Sequence, residues 1–515
     1  MVRGILLLSA SVLALSACSV GRDYTPPELD VDEHWVAIED EPSVTTDNAA
    51  APVSWWTQFN DDTLDQLIDT ALKNNNDLKI AAARIAEARA NERLNRSAFF
   101  PQIDATARGS RGTMGGAFGN MIENNQQYGV NGSWEIDIFG GNRRRTEAAE
   151  AGTEAAIADK EITKLQLIAE VARNYVQLRG LQEQRKLTER NIGLQQRTVQ
   201  ITQAQYNERV VTRLDVLRAS AQLKNTRTRL PQIDAAAYAA MNRLTVLLGE
   251  KVGNMKYLLK SQGEIPNLPA RVVGRAPITT LQRRPDIQAA ERRLAQATAL
   301  SAVAFAGYFP KLSLEGFFGT ADSSIYGSSS PWSITLNALL PLLNFGRIEA
   351  QVDIAEAREE QAFYGFKQTV LLAIEEVEVS YFGYLRETER QVMFADVAQE
   401  QAEAAQVARE QYLNGLAPQL DLLNAEQNAL NAETNYVQSK IEAADNLVRL
   451  YTALGYGSAI PDTKFAKVQA APKETDTHED EDDLEDATAP IPVPRQKPTE
   501  YPKFLPPGVD PNELF

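Results

Sequence analysis

The sequence has one cysteine, two histidines and six methionines in 515 residues. A single cysteine excludes a disulfide framework and a cysteine-based zinc site. His34 and His478 stand in opposite terminal segments, which leaves no His-rich metal site and no Ser-His-Asp arrangement. No enzymatic activity, metal or cofactor is therefore expected. The methionines form no track of the kind that would suggest copper or silver. Beyond residue 18 no apolar run reaches the roughly 18 residues that a spanning helix needs, which excludes a polytopic helical membrane protein. Positive charge is also short. The formal net charge is −17, and no basic patch is available to neutralise phosphates, so nucleic acid is not an expected partner. Charged residues nevertheless make up only 23% and hydrophobic ones 43%, so most of the chain should fold.

What is present begins at the N-terminus. Arg3 and the uncharged stretch 5–17 have the layout of a secretory signal, read as residues 1–17. Leu15-Ser16-Ala17-Cys18 resembles a bacterial lipobox, which makes Cys18 the lipidation site. Several acyl chains, at about 0.8 kcal/mol per buried methylene, give a durable membrane anchor. Ser19 rather than Asp follows the cysteine, and similarity to known lipoproteins then favours delivery to the outer membrane. Residues 18–58 read as a lipidated, extended N-terminal segment.

The remainder states one pattern twice. Asn76-Asp77-Leu78 through Phe100-Pro101 matches Pro285-Asp286-Ile287 through Phe309-Pro310 at an offset of 209. Phe139-Gly140 matches Phe345-Gly346, Gln205-Tyr206 matches Gln411-Tyr412, and Leu248-Gly249 matches Leu454-Gly455, all at 206. The three-residue slip falls between Pro101 and Phe139, where a loop is expected. Two repeats follow, 59–257 and 277–457, joined by a linker at 258–276. The segment 458–515 differs. It packs nine acids into 474–486 and eight prolines into 490–511, the composition of a disordered tail.

Each repeat is read as a helix, a β-hairpin and two very long helices. The first helices are placed at 61–98 and 277–307. Tyr128, Val130, Trp134, Ile136 and Ile138 alternate with polar residues, as do Trp332, Ile334, Leu336, Ala338 and Leu340; period two with one apolar face marks a half-buried strand. Residues 103–108 and 312–318 are weaker partners, and the Gly- and Ser-rich stretches 109–125 and 319–331 are placed as loops. Gly115-Gly116-Ala117-Phe118-Gly119 lacks a following helix or lysine, so it is read as a hairpin tip and not a phosphate loop. An outer-membrane barrel has at least about eight strands, so four strands per chain imply a barrel shared between copies. From 144 to about 209 and from 348 to about 414 there is no proline, and about 65 helical residues would extend about 100 Å. Ile162, Leu165, Ala169, Ala172 and Val176 form one apolar seam; Leu167, Val171, Tyr175, Leu178 and Leu181 form another. Two seams call for neighbours on two sides, which suits helices walled around a wet lumen. Trp55, Trp56 and Phe59 are expected to pack in the core. Breaks at 208–213 and 414–419 mark the turns between the long helices.

Together these segments resemble the TolC-like outer-membrane efflux factors, and within them the NodT-type lipoprotein branch that serves resistance-nodulation-division pumps. The resemblance is carried by Cys18-Ser19-Val20-Gly21-Arg22-Asp23-Tyr24 with Pro26-Pro27, by Trp55-Trp56, and by Trp134-Glu135-Ile136-Asp137-Ile138-Phe139-Gly140. In the second repeat it is carried by Arg283-Arg284-Pro285-Asp286-Ile287, Pro341-Leu342-Leu343-Asn344-Phe345-Gly346-Arg347 and Leu420-Asp421-Leu422-Leu423. It implies a mainly α fold with a membrane β-barrel. Three chains would share twelve strands and an α-helical coiled-coil tunnel in the periplasm. It also implies a homotrimer that passively conducts small molecules, with a periplasmic adaptor and an inner-membrane RND transporter as partners. A duct for type I protein secretion has the same architecture, and a pore-free coiled-coil envelope lipoprotein is the third reading. The turns become the candidate gate: Tyr206, Arg209, Arg213 and Asp215 at the first, Tyr412, Leu420, Asp421 and Asn424 at the second. Relatives often carry a carboxylate where Asn424 stands, which implies a weaker anionic ring. Asp215 and Asp421 have an alternative role as helix caps.

Overall fold

The computed structural model describes residues 19–27, 35–38, 44–46, 54–116, 119–260, 263–269, 272–274 and 277–458. The expected signal, Cys18 and the acidic, proline-rich tail after Ser458 lie outside the described residues.

Asp61 accepts hydrogen bonds from the backbone N–H groups of Thr63 and Leu64, at 2.9 and 3.1 Å, and so starts α1 (Asp62–Asn74). The helix expected to continue to 98 instead stops at Asn75. Asn75 is extended (ψ 135°), and its side chain accepts from Asp77 and Leu78 to start α2 (Asn76–Ser97). An asparagine that caps the following turn competes with helix continuation. The Asn75 amide also donates to the Leu247 carbonyl at 2.9 Å.

The two longest helices begin alike. Gly140 (φ 81°) precedes α3 (Gly141–Asn207), and Gly346 (φ 80°) precedes a second helix of the same 67 residues. Glycine is required at 140 for a second reason: a Cβ there would lie 2.7 Å from Ser19 Oγ. After α3 come α4 (Arg213–Arg227) and α5 (Arg229–Leu247), where one helix was expected. The join at Thr228 has a physical cause in Pro231, which has no N–H to offer the carbonyl four residues back. Beyond α6 (Lys256–Lys260), α7 (Pro277–Arg283) and α8 (Pro285–Phe305) replace the single helix expected over 277–307. Arg284 between them is extended (ψ 124°), as a residue preceding proline prefers. Its guanidinium bonds the Ala453 carbonyl, 206 residues beyond the Leu247 that Asn75 holds. The chain then runs through α9 (Arg347–Leu413) and α10 (Gln419–Ala453).

A short parallel pair, β1 (Val44–Thr46) with β4 (Val272–Gly274), ties the N-terminal segment to the linker. The main sheet is antiparallel. Its strands β2 (Gln102–Gly116), β3 (Gly119–Ile136) and β5 (Lys311–Ser323) lie side by side. Along the far edge of β5 run β6 (Gly327–Ser329) and β7 (Trp332–Leu339) in one register, interrupted at Ser330-Pro331. The stretch 109–125, expected as a loop, is largely strand: the ladder continues rung by rung to Gly116↔Gly119. β5 likewise runs on to Ser323. These stretches are rich in Gly, Ser and Asn. They show no apolar alternation, yet the ladder bonds need only the backbone.

Register sorts the sheet into two faces. Ala105, Val130, Phe318 and Trp332 follow one another across four strands, and Trp134, Leu314 and Leu336 follow across three, two pleat repeats away. The opposite face carries Gln102, Ser133 and Glu315, with Asp104 beside Asn131, and one large apolar residue, Phe317, next to Asn131. Phe318, Trp332, Ile334 and Leu336 are exposed on the apolar face. The largest core lies elsewhere, around the α3 seams. Leu167, Val171, Tyr175 and Leu178 pack there with Trp55, Trp56, Phe59 and Tyr451, so the tryptophan pair has its expected role. Trp55 lies 5.2 Å from the Tyr451 ring.

Residues 19–27 form a strap at the junction of sheet and helices. Val20 donates to the Phe139 carbonyl at 3.1 Å. The buried Arg144 donates to the carbonyls of Val20 and Gly21 and pairs with Asp23 at 2.6 Å. Tyr24 donates to Glu291.

Candidate functional site

The turns between the long helices close in the same way. At the first, Arg209 (φ 61°) is left-handed; its N–H donates to Tyr206 and that of Val210 to Gln205. At the second, Gly415 (φ 73°) takes that place; its N–H donates to Tyr412 and that of Leu416 to Gln411. This is the Schellman closure, in which a left-handed residue lets two terminal carbonyls find donors. Glycine adopts it freely, whereas arginine is strained there.

The sequence-derived site residues divide into two groups. Asp215 acts as a cap: its carboxylate accepts from the Thr212 N–H at 2.9 Å and from the Thr212 hydroxyl at 2.7 Å. Those two bonds hold its carboxyl below the ordinary aspartate range. Asp421 lies in the first turn of α10, its N–H donating to the Pro418 carbonyl at 3.2 Å. Tyr206, Arg209, Arg213, Leu420, Asp421 and Asn424 are exposed, with Leu420 at 47%. Tyr412 is buried. Its hydroxyl donates to Gln205 at 2.8 Å and lies 3.1 Å from the Thr202 hydroxyl, which accepts from the Gln419 amide at 2.9 Å. Three helices, α3, α9 and α10, are thus joined by one polar cluster just behind the turns.

A second cluster lies further from the tip. Glu426 is 2% exposed, pairs with Arg409 at 2.8 Å and accepts from Thr198. Its other oxygen has no protein partner, nor does either amide atom of Gln195. These positions belong to a stripe that residue-level reading passed over. Thr188, Asn191, Gln195, Thr198 and Thr202 step 3-4-3-4 along α3, and all are buried. The spacing is that of a heptad seam, but the residues are polar, so no hydrophobic pattern marks it. The α3 seam is therefore apolar from Leu165 to Leu181 and polar from Thr188 to the tip.

A sheet with one apolar face, two 67-residue helices and two turns closed by the same bonds now stand together. A family model described as outer membrane efflux protein matches the chain twice, over residues 67–250 and 277–456. The chain belongs to the outer membrane efflux protein family. Nodulation protein T of Rhizobium leguminosarum bv. trifolii is 31% identical over 86% of this chain and 96% of its own length. The probable efflux pump outer membrane protein TtgC of Pseudomonas putida is 29% identical over 89% and 96%. Among solved structures, the outer-membrane channel OprN is similar with TM-score 0.78 and 33% identity, over 85% of this chain and 99% of that one. The Campylobacter jejuni CmeC outer membrane channel is similar with TM-score 0.80 and 25% identity, over 86% and 97%. This efflux protein shares their helical tunnel and β-sheet architecture and, like them, belongs to the outer membrane.

Proposed function

We propose that this protein is the outer-membrane duct of a tripartite efflux system. Three copies share one barrel of twelve strands, and their long helices line a periplasmic tunnel. The observation that carries the reading is the main sheet. Near the helices it is apolar on one side and, Phe317 apart, polar on the other, and its edges β2 and β7 have no partner among the described residues. Open edges are not tolerated in lipid, so such a sheet must close with others. The efflux-pump names of relatives such as TtgC support a small-molecule cargo. A periplasmic adaptor and an inner-membrane RND transporter are then the partners, with energy coming from the transporter. The two repeats, 59–257 and 277–457, supply matching halves of each wall. Lipidation at Cys18 complements this arrangement, because the strap holds Ser19 beside Gly140 at the sheet–helix junction.

The turns are the gate in this reading. The Tyr412–Thr202–Gln419 cluster holds the three helices together, while Arg209, Arg213, Leu420 and Asn424 face the aperture. Purified protein in planar bilayers should conduct, and Arg213→Ala and Tyr412→Phe should each raise single-channel conductance. Unchanged conductance in both variants removes the gate assignment; failure of the wild type to conduct under any condition removes the duct.

A further inference from the structure

We propose that Phe317 is a cargo contact of the duct, a stacking platform on the barrel wall for planar aromatic molecules. The inference rests on the shared-barrel reading above and names the wall residue that sorts one class of cargo from another.

The side of the strand on which Phe317 stands is the first observation. Phe318, its neighbour on β5, lies on the apolar face with Val130 and Trp332. Phe317 lies on the polar face, opposite Asn131 on one flank and Ser333 on the other. In a closed barrel the apolar face meets lipid and the polar face lines the lumen. The residues around Phe317 there are Asp104, Thr106, Asn131 and Ser333, all exposed. A phenyl ring in that setting forgoes the burial that the other face offers. No second aromatic residue occurs on this face among the described side chains.

The ring's attitude is the second observation. Its outer atoms lie 2.5 and 2.6 Å from where a Cβ would stand on Gly129, and 2.8 Å from where one would stand on Gly319. Gly129 and Gly319 oppose each other on the next rung of the same face. The ring therefore lies down along the strand over a pair of glycines, with one face on the backbone and the other free. Its partial exposure agrees with one covered face. Glycine in a strand interior weakens the sheet and marks a close approach. Covering that backbone is a stabilising role that leucine also fills. A flat, free π-face is not.

Planar aromatic molecules pair with such a face in offset stacks. A single stack holds a molecule briefly and releases it, so it sorts cargo without plugging the passage. Asp104 and Arg108 stand on the same face, one to either side of Thr106, which shares the glycine rung. The surroundings thus carry both signs of charge, and selection falls on shape and π character. Each copy contributes one ring, all at one height of the wall.

Single-channel current of the full-length protein in planar bilayers tests this. Ethidium, a planar aromatic cation, and tetrapropylammonium, an aliphatic cation of the same charge, are each added on the β-hairpin side. Ethidium should block the unaltered channel. Phe317→Leu, which still covers the glycines, should weaken that block about threefold to tenfold and leave the tetrapropylammonium response unchanged. Phe317→Trp should strengthen the ethidium block. Phe318→Leu, on the opposite face, should match the unaltered protein. If Phe317→Leu weakens the response to both cations alike, or to neither, the platform is wrong and the duct stands. If Phe317→Leu does not assemble, Phe317→Trp decides, and an ethidium block equal to that of the unaltered protein overturns the platform. An unaltered protein that never conducts removes the duct and the platform together.

Discussion

Arg209 and Gly415 occupy the same backbone state at matching turns, yet only one is glycine. A non-glycine residue there costs about 1 kcal/mol. Arg209→Gly should therefore raise the thermal midpoint of the detergent-solubilised protein, and Gly415→Ala should lower it. If Arg209→Gly also alters conductance, the strained arginine is kept for its side chain. Asp215 makes a separate prediction. Because its folded pKa is depressed by the two Thr212 bonds, its contribution is present above the unfolded aspartate value and is lost as pH falls through the folded one. The stability gap between wild type and Asp215→Asn should hold at neutral pH and close in acid, as followed by melting at a series of pH values.

At the scale of the element, the polar stretch of the α3 seam holds buried polar atoms without protein partners. The Gln195 amide is 1% exposed and lacks any protein partner. A buried amide left unpaired costs about 1–3 kcal/mol. Gln195→Leu should therefore raise the melting temperature and, by tightening α3 against α10, reduce spontaneous opening in bilayers. A lowered melting temperature would argue against this account of the seam. The long helices themselves were legible in the sequence, because 65 residues without proline leave few alternatives; Phe-Gly at 139 and 345 was legible as a repeat marker and not as a left-handed helix start. The strand extensions were not legible. Gly109, Ser110, Asn124 and Asn125 carry no facial contrast, and their pairing is settled by neighbours already in register. Breaks at Asn75 and Thr228 were missed because each depends on a local cap or a missing donor. Of the proposed gate, only the turns were legible in the sequence. Thr202, Gln205 and Gln419 are polar helix residues, which in sequence do not differ from a solvated face.

At the scale of the whole molecule, the two halves meet along β3 and β5, where Gly129 and Gly319 both sit at close approaches that leave no room for a Cβ. The Phe317 ring covers Gly129, where a Cβ would fall 2.5 Å from it. Gly129→Val should displace the ring, disturb the junction and reduce the yield of heat-resistant multimers on gels, while Gly109→Ala, with open space around it, should not. The tail after 458 is expected to be dispensable. Removing 473–515 should leave assembly unchanged by native mass measurement, and a loss of multimers would make the tail structural.

The grading of the α3 seam also has a mechanical meaning. Apolar packing from Leu165 to Leu181 resists shear, because sliding one helix past another there exposes hydrocarbon to water. From Thr188 onward, sliding mainly exchanges one set of hydrogen bonds for another, with water ready to fill in. The wall therefore behaves as a cantilever, clamped near its root and compliant along its free end. A modest sideways force at the tip would bend only the last turns and leave the rest of the wall in place.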